Sequence, residues 1–254
     1  MILSKNYGII FVTLGKEERP LRKDFLQGLK AGLPVGLGYF SVSFAFGVAA
    51  VQNGLSVLNA VLISLTNLTS AGQLAGLSVI AAAGSLIEMA ATQFVINLRY
   101  ALMSISLSQK LEHSVTMLDR MLLSFGVTDE NFAIAMNKKG AVTASYFYGL
   151  MSLPILCWTG GTFFGAAAGE ILPAAVLSAL GVAIYGMFVA IVLPVAKKSL
   201  AVALVAGLAM ALSCCFAWVP FFNQVSGGFA IIISAVVAAM VGALFFQLGE
   251  EDEV

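Results

Sequence analysis

Charged residues are scarce in this sequence. The 254 residues include 13 Lys and Arg and 13 Asp and Glu, together 10% of the chain, whereas 60% are hydrophobic. A soluble domain carries about 25% charged residues, so this chain has too few to cover the surface of a soluble fold. No charged side chain occurs between residues 31 and 87, and one membrane crossing needs about 20 apolar residues. The sequence therefore predicts a membrane protein.

Histidine and paired cysteines are also lacking. His113 is the one histidine, and Cys157, Cys214 and Cys215 lie in apolar runs rather than in spaced pairs. Zinc sites and disulfide frameworks need such pairs, so we expect no metal and no other cofactor. The HExxH, GxSxG and P-loop motifs are absent, which argues against an enzyme or an ATP-driven pump. The net charge of zero gives no indication of nucleic acid binding.

The apolar segments are continuous rather than alternating with period two, which predicts membrane-spanning helices. We expect an all-α polytopic membrane protein with about seven or eight hydrophobic helices, some of them discontinuous. Residues 1–24 are interpreted as a cytoplasmic tail, 25–248 as one transmembrane domain and 249–254 as an acidic tail. The clearest segments are 25–51, 56–83, 85–107, 141–168, 174–196, 200–218 and 227–247.

Two of these segments contain features that favour a break. Pro34 lies among glycines in the first segment, and proline removes a helical hydrogen bond. The polar stretch 66–73 interrupts the second segment. The first segment is also longer than a bilayer core requires, so it is expected to be tilted or broken.

Lys and Arg predict the orientation, because they are retained on the cytoplasmic side. The segment 16–30 is rich in both, which places the N-terminus inside, and the pairs Lys138-Lys139 and Lys197-Lys198 are also best placed inside. The region 121–136 is only moderately apolar. If it and 85–107 both cross, Lys110 and Arg120 lie outside; if both are re-entrant, that loop lies inside.

The first candidate site is the polar stretch Asn67, Thr69, Ser70, Gly72 and Gln73. Thr, Ser and Gly can loosen a helix and free its backbone N–H groups, and the start of a half-helix is a natural seat for a carboxylate. The alternative is helix packing, since glycines four residues apart form a close-contact face. Both interpretations are open.

Intramembrane charges are the other candidates, because each is costly unless it is paired or used. Glu88 is either an interfacial carboxylate or a proton-coupling group. Arg99, which follows Asn97, could bind a substrate carboxylate, pair with an acidic side chain or extend to the interface. Asp129 and Glu130 could neutralise Arg99, hold a substrate ammonium or carry a proton, or they could lie in an exposed loop.

At these motifs the sequence resembles the AzlC family of branched-chain amino acid permeases of the bacterial inner membrane. The resemblance covers roughly residues 25–245, and two positions depart from it: many members have His where Tyr100 stands and Ser where Gly72 stands. The residues that carry it are Gly32-Leu33-Pro34, Phe44-Ala45-Phe46-Gly47, Ala71-Gly72-Gln73, Asn97-Leu98-Arg99-Tyr100, the stretch 125–133 and the stretch 158–169.

The resemblance implies export of branched-chain amino acids or their analogues, together with a small membrane subunit of the AzlD type. A zwitterionic substrate needs an anion seat, which Thr69–Gln73 with Arg99 could supply, and a cation seat, which Asp129 or Glu130 could supply. Without a nucleotide site the energy is expected to come from an ion gradient, and we expect protons. The alternative is a channel or a non-transporting scaffold subunit, which saturable and substrate-competed flux would exclude.

Overall fold

The computed structural model describes residues 21–169, 171–173, 175–176, 189, 192–222 and 224–246. The predicted N-terminal tail, apart from residues 21–24, and the predicted acidic tail lie outside these residues. Most of the predicted crossing 174–196 also lies outside them.

The described residues form the nine α-helices given below, a further helical stretch at 192–198 and one short 3₁₀ turn, and they contain no strand. This confirms the all-α class. The helices are α1 Leu21–Gln52, α2 Val57–Thr66, α3 Ser70–Ala81, α4 Leu86–Lys110, α5 Met117–Ser124, α6 Asp129–Asn137, α7 Ala144–Gly169, α8 Leu200–Trp218 and α9 Gly227–Phe245.

Four of the described helices, α1, α7, α8 and α9, are long and apolar enough to cross a membrane. Helix α4 has 25 residues and so spans about 37 Å at 1.5 Å per residue, but it carries Glu88 and Arg99 and is more polar. These helices make the chain a multi-pass membrane protein.

Helices α1 and α7 form the central pair and run parallel, with both helices starting at the same end. At one end Thr143 donates a hydrogen bond to Asp24, and at the other Gly165 lies against the backbone of Phe44. A methyl group added to Gly28 or Gly149 would overlap backbone of the facing helix. Small residues at such positions let helices approach closely in a membrane, where lipid is as apolar as leucine.

The break suggested by Pro34 does not occur, because α1 is one helix of 32 residues with Pro34 inside it. At about 48 Å it exceeds the roughly 30 Å core of a bilayer, so it fits by tilting and by extending its charged first turns beyond the core.

The break predicted at 66–73 is confirmed. Helix α2 ends at Thr66, and Thr69 caps α3 by accepting a hydrogen bond from the Gly72 N–H. Ala60 of α2 and Leu77 of α3 both pack in one cluster with Ala50 of α1. In a single straight helix these two residues would lie about 25 Å apart. Helices α2 and α3 therefore fold back on each other as a re-entrant hairpin, hereafter hairpin 1 (residues 57–81).

Residues 117–137 form a second hairpin, hairpin 2, from α5 and α6. The end of α6 lies at the end of α4, where Lys110 donates to the Met136 carbonyl. The start of α6 lies deeper, where Asp129 meets Arg99, eleven residues and about 16 Å earlier along α4. No helix of crossing length forms over 121–136, because Gly126 and the Thr128 cap separate two short helices.

The two hairpins enter the molecule from opposite ends. The end that holds the start of α1, the end of α4 and the start of α7 carries Arg22, Lys23, Lys110, Arg120, Lys138 and Lys139 and is called the basic end. The other end, called the neutral end, has the uncharged turns 53–56 and 82–85. In both alternatives from the sequence, 85–107 and 121–136 either both cross the membrane or are both re-entrant. In the structure they differ, because α4 is of crossing length and hairpin 2 is not.

Candidate functional site

The tips of the two hairpins meet at a cavity of about 810 Å³. In each hairpin the loop before the second helix is buried, at Leu68 in hairpin 1 and at Thr128 in hairpin 2. Both tips therefore lie inside the helix bundle. The cavity wall combines both tips with α1, α4 and α7 and with two residues from the C-terminal part of the chain. Its lining residues are Pro34, Val35, Gly38, Tyr39, Val42, Leu68, Ser70, Ala71, Val95, Ile96, Arg99, Tyr100, Asp129, Glu130, Trp158, Val192 and Ala235.

The first turn of α3 forms one polar part of this wall. Thr69 accepts from the Gly72 N–H at 3.2 Å, whereas the N–H groups of Ser70 and Ala71 have no intrahelical acceptor because they begin the helix. Both residues line the cavity. The positive end of the helix dipole is therefore next to the cavity, as an anion seat requires.

Arg99 and Asp129 form an ion pair between α4 and the start of α6. A guanidinium nitrogen lies 2.8 Å from a carboxylate oxygen, and the two side chains are 45% and 47% exposed. Arg99 also donates to the Tyr100 hydroxyl at 3.3 Å. Because both charges are half exposed, water or a solute in the cavity can reach them, and the pair can be opened at moderate cost.

Glu130, the next residue of α6, accepts a hydrogen bond from the Tyr39 hydroxyl of α1. No Lys or Arg of the described residues is within ion-pair distance of it. Tyr39 packs edge-on against Trp158 at a centroid distance of 5.2 Å, and Trp158 is 2% exposed. The cavity thus holds a carboxylate that is hydrogen-bonded but not neutralised by a cation, as a seat for an ammonium group requires.

Aliphatic side chains form the rest of the wall. Val35 and Val42 of α1, Val95 and Ile96 of α4, and Leu68 of hairpin 1 all line the cavity. Such surfaces accept apolar groups, and a pocket with mostly apolar walls and a few convergent polar groups is the usual form of a small-molecule site.

The predicted residues of hairpin 1 divide between two roles. Ser70 faces the cavity, while Asn67, Gly72 and Gln73 line a separate space of about 210 Å³ between α2, α3 and α4. Gln73 donates to the Asn67 carbonyl at 2.6 Å and to the Ser64 hydroxyl at 3.2 Å. These contacts hold the two half-helices together, so the structure gives Gln73 a positioning role.

Two further predicted residues lie away from the cavity. Asn97 donates to the Gln93 side chain at 3.1 Å, and Gln93 donates to the Gly72 carbonyl at 2.8 Å, which attaches hairpin 1 to α4. Glu88 is buried at the neutral end and accepts from the Ser226 hydroxyl and from the Gly228 N–H, the latter at 2.9 Å. It caps the start of α9, about 16 Å along α4 from Arg99.

Tyr39 and Trp158 are cavity residues that the sequence analysis did not name as site residues. Tyr39 is a polar side chain in the charge-free run 31–87, which is a signal, but a tyrosine there is equally expected at an interface. Its role depends on a contact with Glu130, 91 residues away in the chain. Among the described residues, no three His, Cys, Asp or Glu side chains come close enough to hold a metal ion.

Comparison with known proteins agrees with this architecture. The chain is 34% identical over 74% of its length to an uncharacterized membrane protein of Archaeoglobus fulgidus, covering 84% of that protein. It is 29% identical over 91% of its length to the inner membrane protein YgaZ of Escherichia coli, covering 94% of that protein. An uncharacterized membrane protein of Helicobacter pylori is 25% identical over 58% of the chain and is covered over 67% of its own length.

No solved structure matches the chain. The family model described as AzlC protein matches residues 34–172, a range that holds both hairpins and every charged residue of the cavity. More than half of the chain lies in this match, and the chain belongs to the AzlC protein family.

Proposed function

We propose that the chain is a secondary transporter that exports branched-chain amino acids or their analogues across the bacterial inner membrane. The observation that supports this most is the cavity where the two hairpin tips meet. The start of α3 at Ser70 and Ala71, the Glu130 carboxylate and an aliphatic wall surround one space of about 810 Å³. A zwitterion with a branched apolar side chain matches these three chemistries together.

In this proposal the substrate carboxylate lies at the start of α3 and contacts Arg99, whose planar fork suits a carboxylate. The ammonium group lies at Glu130, which carries no cation of the described protein. The side chain packs against Val42, Val95 and Ile96. The volume exceeds that of one amino acid, and water fills the remainder, as is usual at polar sites.

The hairpins provide a route to alternating access. Hairpin 1 reaches the cavity from the neutral end and hairpin 2 from the basic end, so displacement of either one opens the site to one side only. Hairpin 2 is held by the half-exposed Arg99–Asp129 pair, whereas hairpin 1 is held by neutral buried contacts such as Ser64–Thr162 at 2.7 Å. A substrate carboxylate that takes Arg99 from Asp129 loosens hairpin 2 and thereby couples binding to opening.

We also propose that the tip of hairpin 2 carries the coupling proton. Glu130 and Asp129 are adjacent, and a proton on one of them reduces their mutual repulsion when Arg99 turns to the substrate. Glu88 is the other coupling candidate, at the junction of α4 and α9. Of these, Glu130 is favoured because it shares the cavity with the substrate.

The basic end is proposed to be cytoplasmic, because Lys and Arg are retained on that side. This gives a cytoplasmic start of α1 and places both turns of the neutral end outside. The small AzlD-type subunit is proposed to cover α8, which has no buried residue in the described structure. Lipid could cover the same surface, so the subunit needs its own test.

The test is efflux of preloaded labelled leucine, isoleucine, valine and methionine from cells that express the chain with or without the neighbouring small membrane subunit. Saturable efflux that competing substrate reduces and that falls when the proton gradient is collapsed supports the proposal. Efflux that requires both chains supports the subunit. The absence of efflux for all four amino acids would reject the substrate assignment, and non-saturable flux would favour a channel.

A further inference from the structure

Among the residues that the structure describes, no carboxylate pairs with the three cations on the first turns of α1. Arg22, Lys23 and Lys30 are exposed, and with Leu26 and Gln27 they line an open groove of about 550 Å³ at the basic end. The neighbouring carboxylate, Asp24, is buried and faces away, where it accepts from Thr143 at 2.9 Å. The groove therefore has a net positive charge that nothing in the described protein neutralises.

The depth of these cations is unusual for a purely aqueous patch. Lys30 lies eight residues beyond Arg22, about 12 Å along the helix axis, whereas the headgroup layer on each side of a bilayer is only about 5–7 Å thick. Helical side chains tilt toward the N-terminus, and a lysine stem can extend toward the interface. A Lys30 side chain that extends in this direction brings its ammonium group toward Arg22 and Lys23, with which it lines the groove.

An apolar stripe continues the groove toward the bilayer centre. Leu26, Leu33, Leu37 and Phe40 are spaced by three, four or seven residues, so they share one face of α1 with Arg22. Their exposed fractions are 43%, 49%, 64% and 38%. A ligand that fits this face has a negatively charged head at the basic end and a hydrocarbon chain below it.

We propose that this groove binds an anionic phospholipid, with its phosphate among Arg22, Lys23 and Lys30 and an acyl chain along Leu33, Leu37 and Phe40. The proposal is independent of what the chain transports. A neutral lipid offers the same acyl contact but lacks the net charge, so the site distinguishes lipids by headgroup. Binding there would also attach the start of α1, and through the α1–α7 pair the whole bundle, to the surface of that leaflet.

The experiment measures the unfolding temperature of the purified chain in detergent while phosphatidylglycerol, phosphatidylcholine or soluble glycerol phosphate is added. The variant R22Q/K30Q removes two charges from the groove. The control variant K138Q/K139Q removes two charges from the same end, outside the groove. Gel filtration of both variants establishes that they remain folded.

Phosphatidylglycerol is expected to raise the unfolding temperature, and phosphatidylcholine is not. The half-saturating lipid concentration should rise about tenfold or more in R22Q/K30Q, because each basic residue near a membrane surface contributes measurably to attraction. It should stay within about twofold in K138Q/K139Q. The effect on the unsubstituted chain should also weaken as salt is raised, a readout that needs no variant.

Three results would overturn the proposal. Equal stabilisation by the two lipids would mean that the acyl chain determines binding and that the headgroup charge does not contribute. Equal shifts in the two variants would mean a general surface charge effect without a site. Stabilisation by glycerol phosphate at the same concentration as the lipid would mean that the groove takes a soluble phosphate compound.

Discussion

Arg99 of α4 lies 2.8 Å from Asp129 at the start of α6, so one ion pair joins a helix of crossing length to the tip of a re-entrant hairpin. The same hairpin tip is joined to α1 through Glu130 and Tyr39. These two contacts connect the tip of hairpin 2 to α4 and to α1 through an ion pair and a hydrogen bond rather than through apolar packing.

The first prediction concerns the ion pair. Asp129→Asn and Arg99→Gln should each reduce flux more than about tenfold, because a charge left without its partner disturbs both the hairpin and the anion seat. Expression and membrane insertion should remain near normal. The measurement is initial efflux rate per amount of protein in the membrane, with Lys139→Gln as the control for loss of a cation.

Exchange of the two charges separates a structural pair from a substrate contact. The variant R99D/D129R retains an ion pair but moves the guanidinium to hairpin 2. If Arg99 contacts the substrate carboxylate, flux stays low. Flux restored to more than half of the original rate would show that the pair has a structural role alone.

The second prediction concerns the tyrosine beside Glu130. Tyr39→Phe removes a hydroxyl that donates to the Glu130 carboxylate while leaving the ring against Trp158. Loss of this donor leaves the Glu130 carboxylate with one hydrogen bond fewer and without its contact to α1, so flux should fall several-fold and the half-saturating leucine concentration should rise. Tyr148→Phe is the matched control, since Tyr148 donates to Asp119 at 3.0 Å, outside the cavity. Unchanged flux and half-saturating concentration in Tyr39→Phe would show that the Tyr39–Glu130 hydrogen bond has no part in transport.

The third prediction concerns the α1–α7 contact. Gly165→Ala places a methyl group against the Phe44 backbone, and overpacking of this kind costs about 1–3 kcal/mol. We expect a lower unfolding temperature in detergent. Gly160 lies five residues earlier on the same helix with no atom near its added methyl group, so Gly160→Ala should be neutral or slightly stabilising. The same loss in both variants would contradict the close packing of the two helices.

The fourth prediction concerns the two hairpins. In a background without the three native cysteines, single cysteines at Asn53 and Ala82 should react with an impermeant thiol reagent from one side of the membrane. Cysteines at Ser114 and Lys139 should react only from the other side. If Asn53 and Ala82 were labelled from opposite sides, segment 56–83 would cross the bilayer and hairpin 1 would not be re-entrant.

The sequence was sufficient for the helical class and for the break in the second segment, because both follow from local composition. Thr69 and Thr128 are local signals as well, since a threonine is a common N-cap. The folding back of α2 on α3 was not predictable, because it rests on Ala60 and Leu77 meeting the same part of α1. Apolar residues of this kind look alike in a span and in a hairpin.

The residues that the sequence suggested for the site also fall into two groups, those that line the cavity and those that lie elsewhere. Arg99, Asp129 and Glu130 stood out as intramembrane charges, and the structure brings them to one cavity. Gln73 and Glu88 also stood out as polar groups within the membrane, yet they form hydrogen bonds outside the cavity. A polar residue in a membrane needs a hydrogen-bonding or charged partner, but the sequence around it does not identify that partner. The place of Tyr39 in the cavity was recognised only from its hydrogen bond to Glu130 in the structure.

The central claim is that the cavity between the hairpin tips recognises a zwitterion with an aliphatic side chain. Its most direct test is competition for labelled leucine bound to membranes that contain the chain and its small subunit. The competitors are leucine, 3-methylbutylamine, which lacks the carboxylate, and 4-methylpentanoate, which lacks the ammonium group. The account predicts that leucine competes at least about tenfold better than either analogue, and that Glu130→Gln abolishes the difference between leucine and 4-methylpentanoate. Equal competition by all three compounds, or unchanged discrimination in Glu130→Gln, would contradict it.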